Sequence, residues 1–228
     1  MIGANQGTQT LYNTLTFRAL LDALARPGKI NQLELPHFAG EAPSYFSSAC
    51  ASHTPINMYA LGALLTLLDR ETTFIMAVNG QWLAHTETAV QWTILRSGST
   101  ALDADHARQA AFAFFCNGEN SQMLAQLSVG TLLEPELSAT AFYCVESLAD
   151  AEKREELHGD FMTLELRGPG IQEVRIVNVE GLAKSDIEAI LFARQSYPLG
   201  IDIYLVDRTG RCIGLPRTTK ILVHSDDK

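Results

Sequence analysis

The chain has 228 residues, 46% hydrophobic and 19% charged, the balance of a globular protein long enough to bury one substantial core. Its formal net charge of −9 argues against nucleic-acid binding, which needs a basic footprint, yet a few arginines can still hold a small anion locally. The longest apolar run, near Ile56 to Leu68, is too short and interrupted to span a bilayer, and the first residues carry no basic or apolar targeting signal.

In chain order, Leu11 to Ala25 reads as a helix whose buried stripe is Leu11, Leu15, Leu20, Leu21 and Leu24, stopped by Pro27 and Gly28. Lys29 to Leu35 reads as a strand. A second, buried helix is expected from Thr54, with Pro55 at its first position. Thr73 to Val78 is a strand, and Asn79-Gly80 has the residues of a type I′ turn into Gln81-Trp82-Leu83, although a helix start at Thr86 competes with a long return strand. Ala110 to Phe115 and Thr140 to Glu146 read as strands flanking a short helix, Ser121 to Leu127. The charge run Asp150 to Glu156 reads as a solvated connector.

Phe161 to Leu166 and Ile171 to Asn178 suggest a hairpin closed by the three-residue loop Gly168-Pro169-Gly170, pairing Leu164 with Val174 and Met162 with Ile176. Glu165 then opposes Glu173, with Arg167 and Arg175 placed diagonally to soften the repulsion. Ser185 and Glu188 form a capping box for a helix to about Gln195. With the strand before it and the Ile201 strand after it, that helix makes a βαβ unit. Asp207-Arg208-Thr209-Gly210 turns the Ile201 strand back into Arg211 to Leu215, and Lys220 to Val223 is a last strand. The fold class is α/β, a mixed central sheet with packed helices, as one domain over residues 1–228.

Asp202 lies at a strand start between two isoleucines, where a lone carboxylate is costly. It is read either as an ion pair with Arg217 or Arg211, or as a carboxylate facing a ligand or partner. Arg217, Thr218 and Thr219 offer a guanidinium and two hydroxyls suited to an anion, against the plain reading that Arg217 holds Asp202. Gly168 and Gly170 are read as a turn ahead of a ligand loop, and Arg18 as either an exposed helical arginine or a ligand contact. The six histidines lack metal-ligand spacing, so no metal is expected. Cys50, Cys116, Cys144 and Cys212 are scattered, which suits reduced core thiols in a cytoplasmic protein and not a cluster site. No nucleophile–base pattern, phosphate loop or dinucleotide fingerprint is present, and Trp82 and Trp92 read as core or interface.

A set of short motifs runs along the chain: Phe17-Arg18, Leu20-Leu21, Arg26-Pro27-Gly28, Leu67-Leu68-Asp69, Gly130-Thr131, Pro135-Glu136, Ala139-Thr140 and Leu166-Arg167-Gly168-Pro169-Gly170-Ile171. Pro198-Leu199-Gly200-Ile201-Asp202 and Leu215-Pro216-Arg217-Thr218-Thr219 complete it. In this order and spacing they resemble the PhnH family, a subunit of the carbon–phosphorus lyase machinery of phosphonate breakdown. The Asp150 to Gly159 connector departs from that family in being longer and more charged.

The resemblance implies a fold like that of pyridoxal-phosphate-dependent transferases without the cofactor, a homodimer, and assembly with other carbon–phosphorus lyase subunits. It further implies a part in coupling a phosphonate to the ribose of ATP with release of adenine, the iron–sulfur chemistry belonging to another subunit. On this reading the chain is an accessory, interface-building subunit without a cofactor, nucleic acid or membrane as partner. The alternative is that Arg217, Thr218 and Thr219 contribute directly to binding a phosphonate or nucleotide anion. An active pyridoxal-phosphate enzyme would need a Schiff-base lysine, and none of Lys29, Lys153, Lys184, Lys220 and Lys228 stands in such a motif.

Overall fold

Four short strands carry the architecture: β2 (Thr73–Val78), β5 (Phe112–Phe115), β6 (Thr140–Cys144) and β10 (Asp202–Val206). Their residues are nearly all buried, the pattern of strands covered on both faces, and they pair in parallel in the order β2-β5-β6-β10. This computed structural model describes residues 2–43 and 55–224, without the side chains of residues 2–6. The main sheet is completed by β3 (Gln81–Trp82), β4 (Thr100–Ala101), β11 (Arg211–Leu215) and β1 (Asn31–Gln32). β3, β11 and β1 are antiparallel additions, and β4 pairs in parallel with β2. The mixed α/β sheet expected from the sequence is present.

Alternate residues divide two cores. Phe74, Met76, Phe114, Phe142, Tyr204 and Val206 face helices α1 (Ile2–Ala25), α2 (Met58–Leu67) and α3 (Thr88–Ser97). On the other face Ile75, Ala77, Phe115, Tyr143, Ile203 and Leu205 meet α4 (Ser121–Leu124), α5 (Lys184–Ala193) and a second, antiparallel sheet. That sheet has the order β12-β8-β9-β7, from β7 (Ser147–Asp150), β8 (Phe161–Arg167), β9 (Arg175–Glu180) and β12 (Lys220–His224). Leu164, Leu166, Val177 and Val179 of the second sheet share a core with Ala141 and Ile203 of the first.

Several expectations are corrected. Helix α1 begins at Ile2, and its buried row is Tyr12, Thr16, Leu20 and Ala23, leaving Leu11, Leu15 and Leu21 exposed. Close approach to the sheet selects the small residue: a Cβ on Gly214 of β11 would lie 2.6 Å from the Ala23 backbone. The Lys29–Leu35 strand shrinks to β1. Helix α2 starts at Met58, capped by the Asn57 side chain accepting from the Ala60 N–H; Thr54 lies outside the described residues. Asn79 and Gly80 both have positive φ, as a type I′ turn demands, and the return strand is the short β3. The 86–97 segment resolves in favour of a helix, α3.

The 161–180 hairpin has a different register. Leu164 opposes Val177 and Met162 opposes Val179, so Glu165 faces Ile176 and the expected glutamate repulsion does not arise. An odd shift of three puts Val177 and Val179 on the buried face, where Val174 and Ile176 would otherwise lie. The Gly168-Pro169-Gly170 segment does not close the hairpin, because a tertiary contact claims it. Gly170, at φ +82°, sits against the Ala25 carbonyl and Pro27, where no side chain fits. The capping box is not used: Ala183 is the N-cap of α5 and Ser185 lies inside the helix. Nor does α5 make the expected βαβ unit, since β9 belongs to the second sheet and β10 to the first.

Candidate functional site

The N-terminal ends of β6 and β10 gather most of the sequence motifs. Gly200, at φ +148°, donates its N–H to the Val129 carbonyl at 2.9 Å. Asp202 accepts the backbone N–H of Arg217 at 2.7 Å. Arg217 in turn donates from NH1 to the Pro135 carbonyl at 2.5 Å and to Ser138 Oγ at 2.6 Å. A Cβ on Gly200 would approach Arg217 Cβ to 2.8 Å, so glycine is needed there for conformation and for space. These contacts tie the 129–138 loop to the start of β10 and the 215–219 turn.

Asp202 therefore makes neither of the side-chain ion pairs expected of it. The Arg217 contribution is a main-chain N–H, and Arg211 pairs with Glu156 at 2.7 Å while donating to the Leu148 carbonyl. Thr219 is buried with its Oγ1 unpartnered, and Thr218 is half-buried, its carbonyl 3.0 Å from where a Gly168 Cβ would sit. Gly168, Gly200, Asp202, Arg217, Thr218 and Thr219 thus belong to one neighbourhood. Gly170 packs instead on the end of α1, and Arg18 is exposed on α1, across the main sheet.

The loop braced in this way turns leucines to solvent among the exposed Thr131, Glu134 and Glu136. Leu132 and Leu133 are 75% and 93% exposed, and Leu137 follows them. Val129, at the foot of the loop, also lines a groove of about 860 Å³ between the 104–109 turn, α4 and α5. Leu124, Leu127, Ala189 and Leu199 floor it, and Phe192 and Tyr197, 71% and 70% exposed, stand beside it.

The other end of the groove-lining helices is fixed by a polar hub. The Asn120 N–H donates to Asp186 Oδ1 at 2.7 Å, its Oδ1 accepts the Gly80 N–H, and its Nδ2 reaches the carbonyls of Asn117 and Gly118. Burial pushes the Asp186 carboxyl up to about 6 against that N–H, with Glu119 adding to the rise. Asp186 Oδ2 and the Tyr143 hydroxyl are buried without protein partners, and burial, with Asp186 adding to it, pushes the Tyr143 phenol well up.

A second cavity, about 300 Å³, lies at the C-terminal ends of β5 and β6 beside the start of α2. Cys144, the last residue of β6, and Cys116, just past the end of β5, line it. Burial, then the neighbouring Cys116, pushes the Cys144 thiol well up, which leaves it a poor nucleophile. Arg208 grips Glu146 through two bonds at the rim and holds that carboxyl below its usual range. No described lysine lines this cavity. Among the described residues no group of three or more His, Cys, Asp or Glu could hold a metal ion, and no helix is long and apolar enough to cross a membrane.

Sequence reasoning missed Leu132, Leu133, Phe192 and Asp186. The one available signal was the leucine pair inside the turn-rich stretch Gly130 to Glu136, where an apolar pair has no core to join. Residues 7–222 match the family model described as bacterial phosphonate metabolism protein (PhnH). A protein of Rhizobium meliloti (strain 1021), named alpha-D-ribose 1-methylphosphonate 5-triphosphate synthase subunit PhnH, is 30% identical over 208 residues, 90% of this chain and 88% of that protein.

Proposed function

From the premise that this chain belongs to the PhnH family of bacterial phosphonate metabolism proteins, we propose that it is an accessory subunit whose work is to dock its neighbours in a phosphonate-processing synthase. The observation that carries this reading is where the motif residues are spent. Gly200, Asp202 and Arg217 hold the 129–138 loop in place, and that loop exposes Leu132 and Leu133 while its foot, Val129, lines the groove. The relative's name supplies the reaction: its product carries a phosphonate on C1 of ribose and a triphosphate on C5. Such a product follows from a nucleoside triphosphate when a phosphonate oxygen displaces the base, which for ATP releases adenine. The proposed partners are the other carbon–phosphorus lyase subunits and a second copy of this chain.

Direct anion binding by Arg217, Thr218 and Thr219 is the weaker use of these residues, because Arg217 NH1 is already committed to Pro135 and Ser138. One domain, a cytoplasmic location and a fold related to pyridoxal-phosphate-dependent transferases without the cofactor belong to the same proposal. The core shared by the two sheets supports the single domain. A second apolar surface on the opposite side of the main sheet, from Leu11, Phe17 and Leu21 of α1, suits a subunit placed between two neighbours.

The test is co-purification of the pathway subunits with wild-type chain and with Leu133→Asp. The variant should lose at least ten-fold in association, on the scale of about 1.4 kcal/mol per factor of ten, while keeping its melting temperature. Full association of Leu133→Asp would refute the reading.

A further inference from the structure

Cys116 and Cys144 are distant in sequence and neighbours in the fold. Strands β5 and β6 run in parallel with Phe115 opposite Tyr143, so the next residue on each chain segment, Cys116 and Cys144, comes abreast. Both pack into the core that contains Phe114 and Phe142, on one face of the sheet. Neighbouring strands lie about 4.8 Å apart, and a disulfide joins Cα atoms roughly 4.4–6.8 Å apart. Cys212 shares the row, with Val206 between it and Cys144. At about twice the strand spacing it is out of reach of Cys144.

The pair can be reached from outside. Both cysteines line the cavity of about 300 Å³ at the C-terminal ends of β5 and β6, and the ion pair at its rim, Arg208 and Glu146, is 54% and 48% exposed. Cys144 is half-buried and Cys116 buried. Cys116 Sγ donates to the Pro55 carbonyl at 3.7 Å, and the Cys144 thiol lies within hydrogen-bonding reach of Cys116. Burial keeps Cys144 protonated at neutral pH, so its reactions are slow there and quicken as pH rises.

We propose that Cys116 and Cys144 form a reversible redox site, closed into a disulfide by a small neutral disulfide and reopened by thiols. Cys144, the more exposed of the two, loses its proton to solvent, and its sulfur attacks one sulfur of the oxidant. The oxidant's S–S bond breaks and one molecule of thiol leaves with a proton. Cys116 then gives up its proton and attacks the Cys144 sulfur of the mixed disulfide, releasing a second molecule of thiol. The chain has lost two hydrogen atoms and the oxidant has gained them. The new bond joins the ends of the 117–143 stretch, which carries Asn120, α4 and the 129–138 loop, and restricts that stretch when the chain unfolds. The site stands independently of the docking reading.

The experiment equilibrates the full folded chain in mixtures of bis(2-hydroxyethyl) disulfide and 2-mercaptoethanol, traps remaining thiols with a maleimide in acid, and maps the peptides by mass. Cys116 and Cys144 should appear as a linked pair whose share rises saturably with the ratio of disulfide to thiol and returns to nothing in dithiothreitol. The link should form faster as pH rises, and the linked chain should melt above the reduced one. Cys212 should remain a free thiol, and Cys144→Ser should leave Cys116 unlinked. Both thiols still free at the highest ratio, or a link that forms only in urea, overturns the proposal. So does a mixed disulfide on Cys144 that never closes, a bond from either cysteine to Cys50 or Cys212, or a linked chain that melts below the reduced one. Should Cys144→Ser fail to fold, the wild-type peptide map decides alone.

Discussion

Replacing Asp186 by Asn should stabilise the protein at neutral pH and leave it unchanged in acid. The carboxyl has a folded value of about 6 against roughly 3.9 in an unfolded chain. A carboxyl raised in this way binds its proton more tightly when native. Stability is therefore highest below the unfolded value and falls as pH rises through the folded one. Two pH units correspond to ~3 kcal/mol, and relaxation and solvent screening trim this to about 2 kcal/mol. Asparagine keeps an oxygen for the Asn120 N–H and places a neutral amide where Oδ2 now lies without a partner. Urea unfolding across pH 4 to 8 measures the difference. The variant should gain about 2 kcal/mol at pH 7.5 and nothing near pH 4, with a melting rise of several degrees for a chain of this size. A variant that is less stable at pH 7.5, or whose gain is the same at every pH, would refute the argument.

Other substitutions probe the braced loop and the helix packing. Gly200→Ala must adopt φ +148° and press on Arg217, so it should lose about 2 kcal/mol in the same unfolding assay. Arg217→Gln breaks the bonds to Pro135 and Ser138 and should cost about 1–2 kcal/mol. Hydrogen exchange should show the loss of protection concentrated in residues 129–139. Gly214→Val drives methyl groups into the α1 backbone at Ala23 and should destabilise by about 3 kcal/mol; a melting temperature within a degree of wild type would contradict that packing.

Much of the main sheet was legible because its strands are short, apolar and punctuated: Thr73–Val78 has the same limits in sequence and structure, and Asn79-Gly80 announced its turn. Where the reading failed, a contact distant in sequence had decided the outcome. The α1 stripe was misassigned because Gly214 invites Ala23, not a leucine, to the interface. The 161–180 register slipped because Gly170 is held by the end of α1, so the loop runs on to 174 before β9 begins. Ser185 looked like a cap, yet the position after it anchors α5 to Asn120. Asp202 and Arg217 were rightly linked, but through a main-chain N–H, which side-chain chemistry alone does not reveal.

The docking claim is tested most directly by sedimentation of the reconstituted subunit mixture with Leu133→Asp, Phe192→Asp and Leu95→Asp. Leu95, on α3, is 82% exposed and stands away from the groove, so it controls for a charge on any bare leucine. Leu133→Asp and Phe192→Asp should leave this chain sedimenting apart from the complex, and Leu95→Asp should assemble as wild type does. Assembly by all three variants, or its loss in Leu95→Asp alone, would contradict the account.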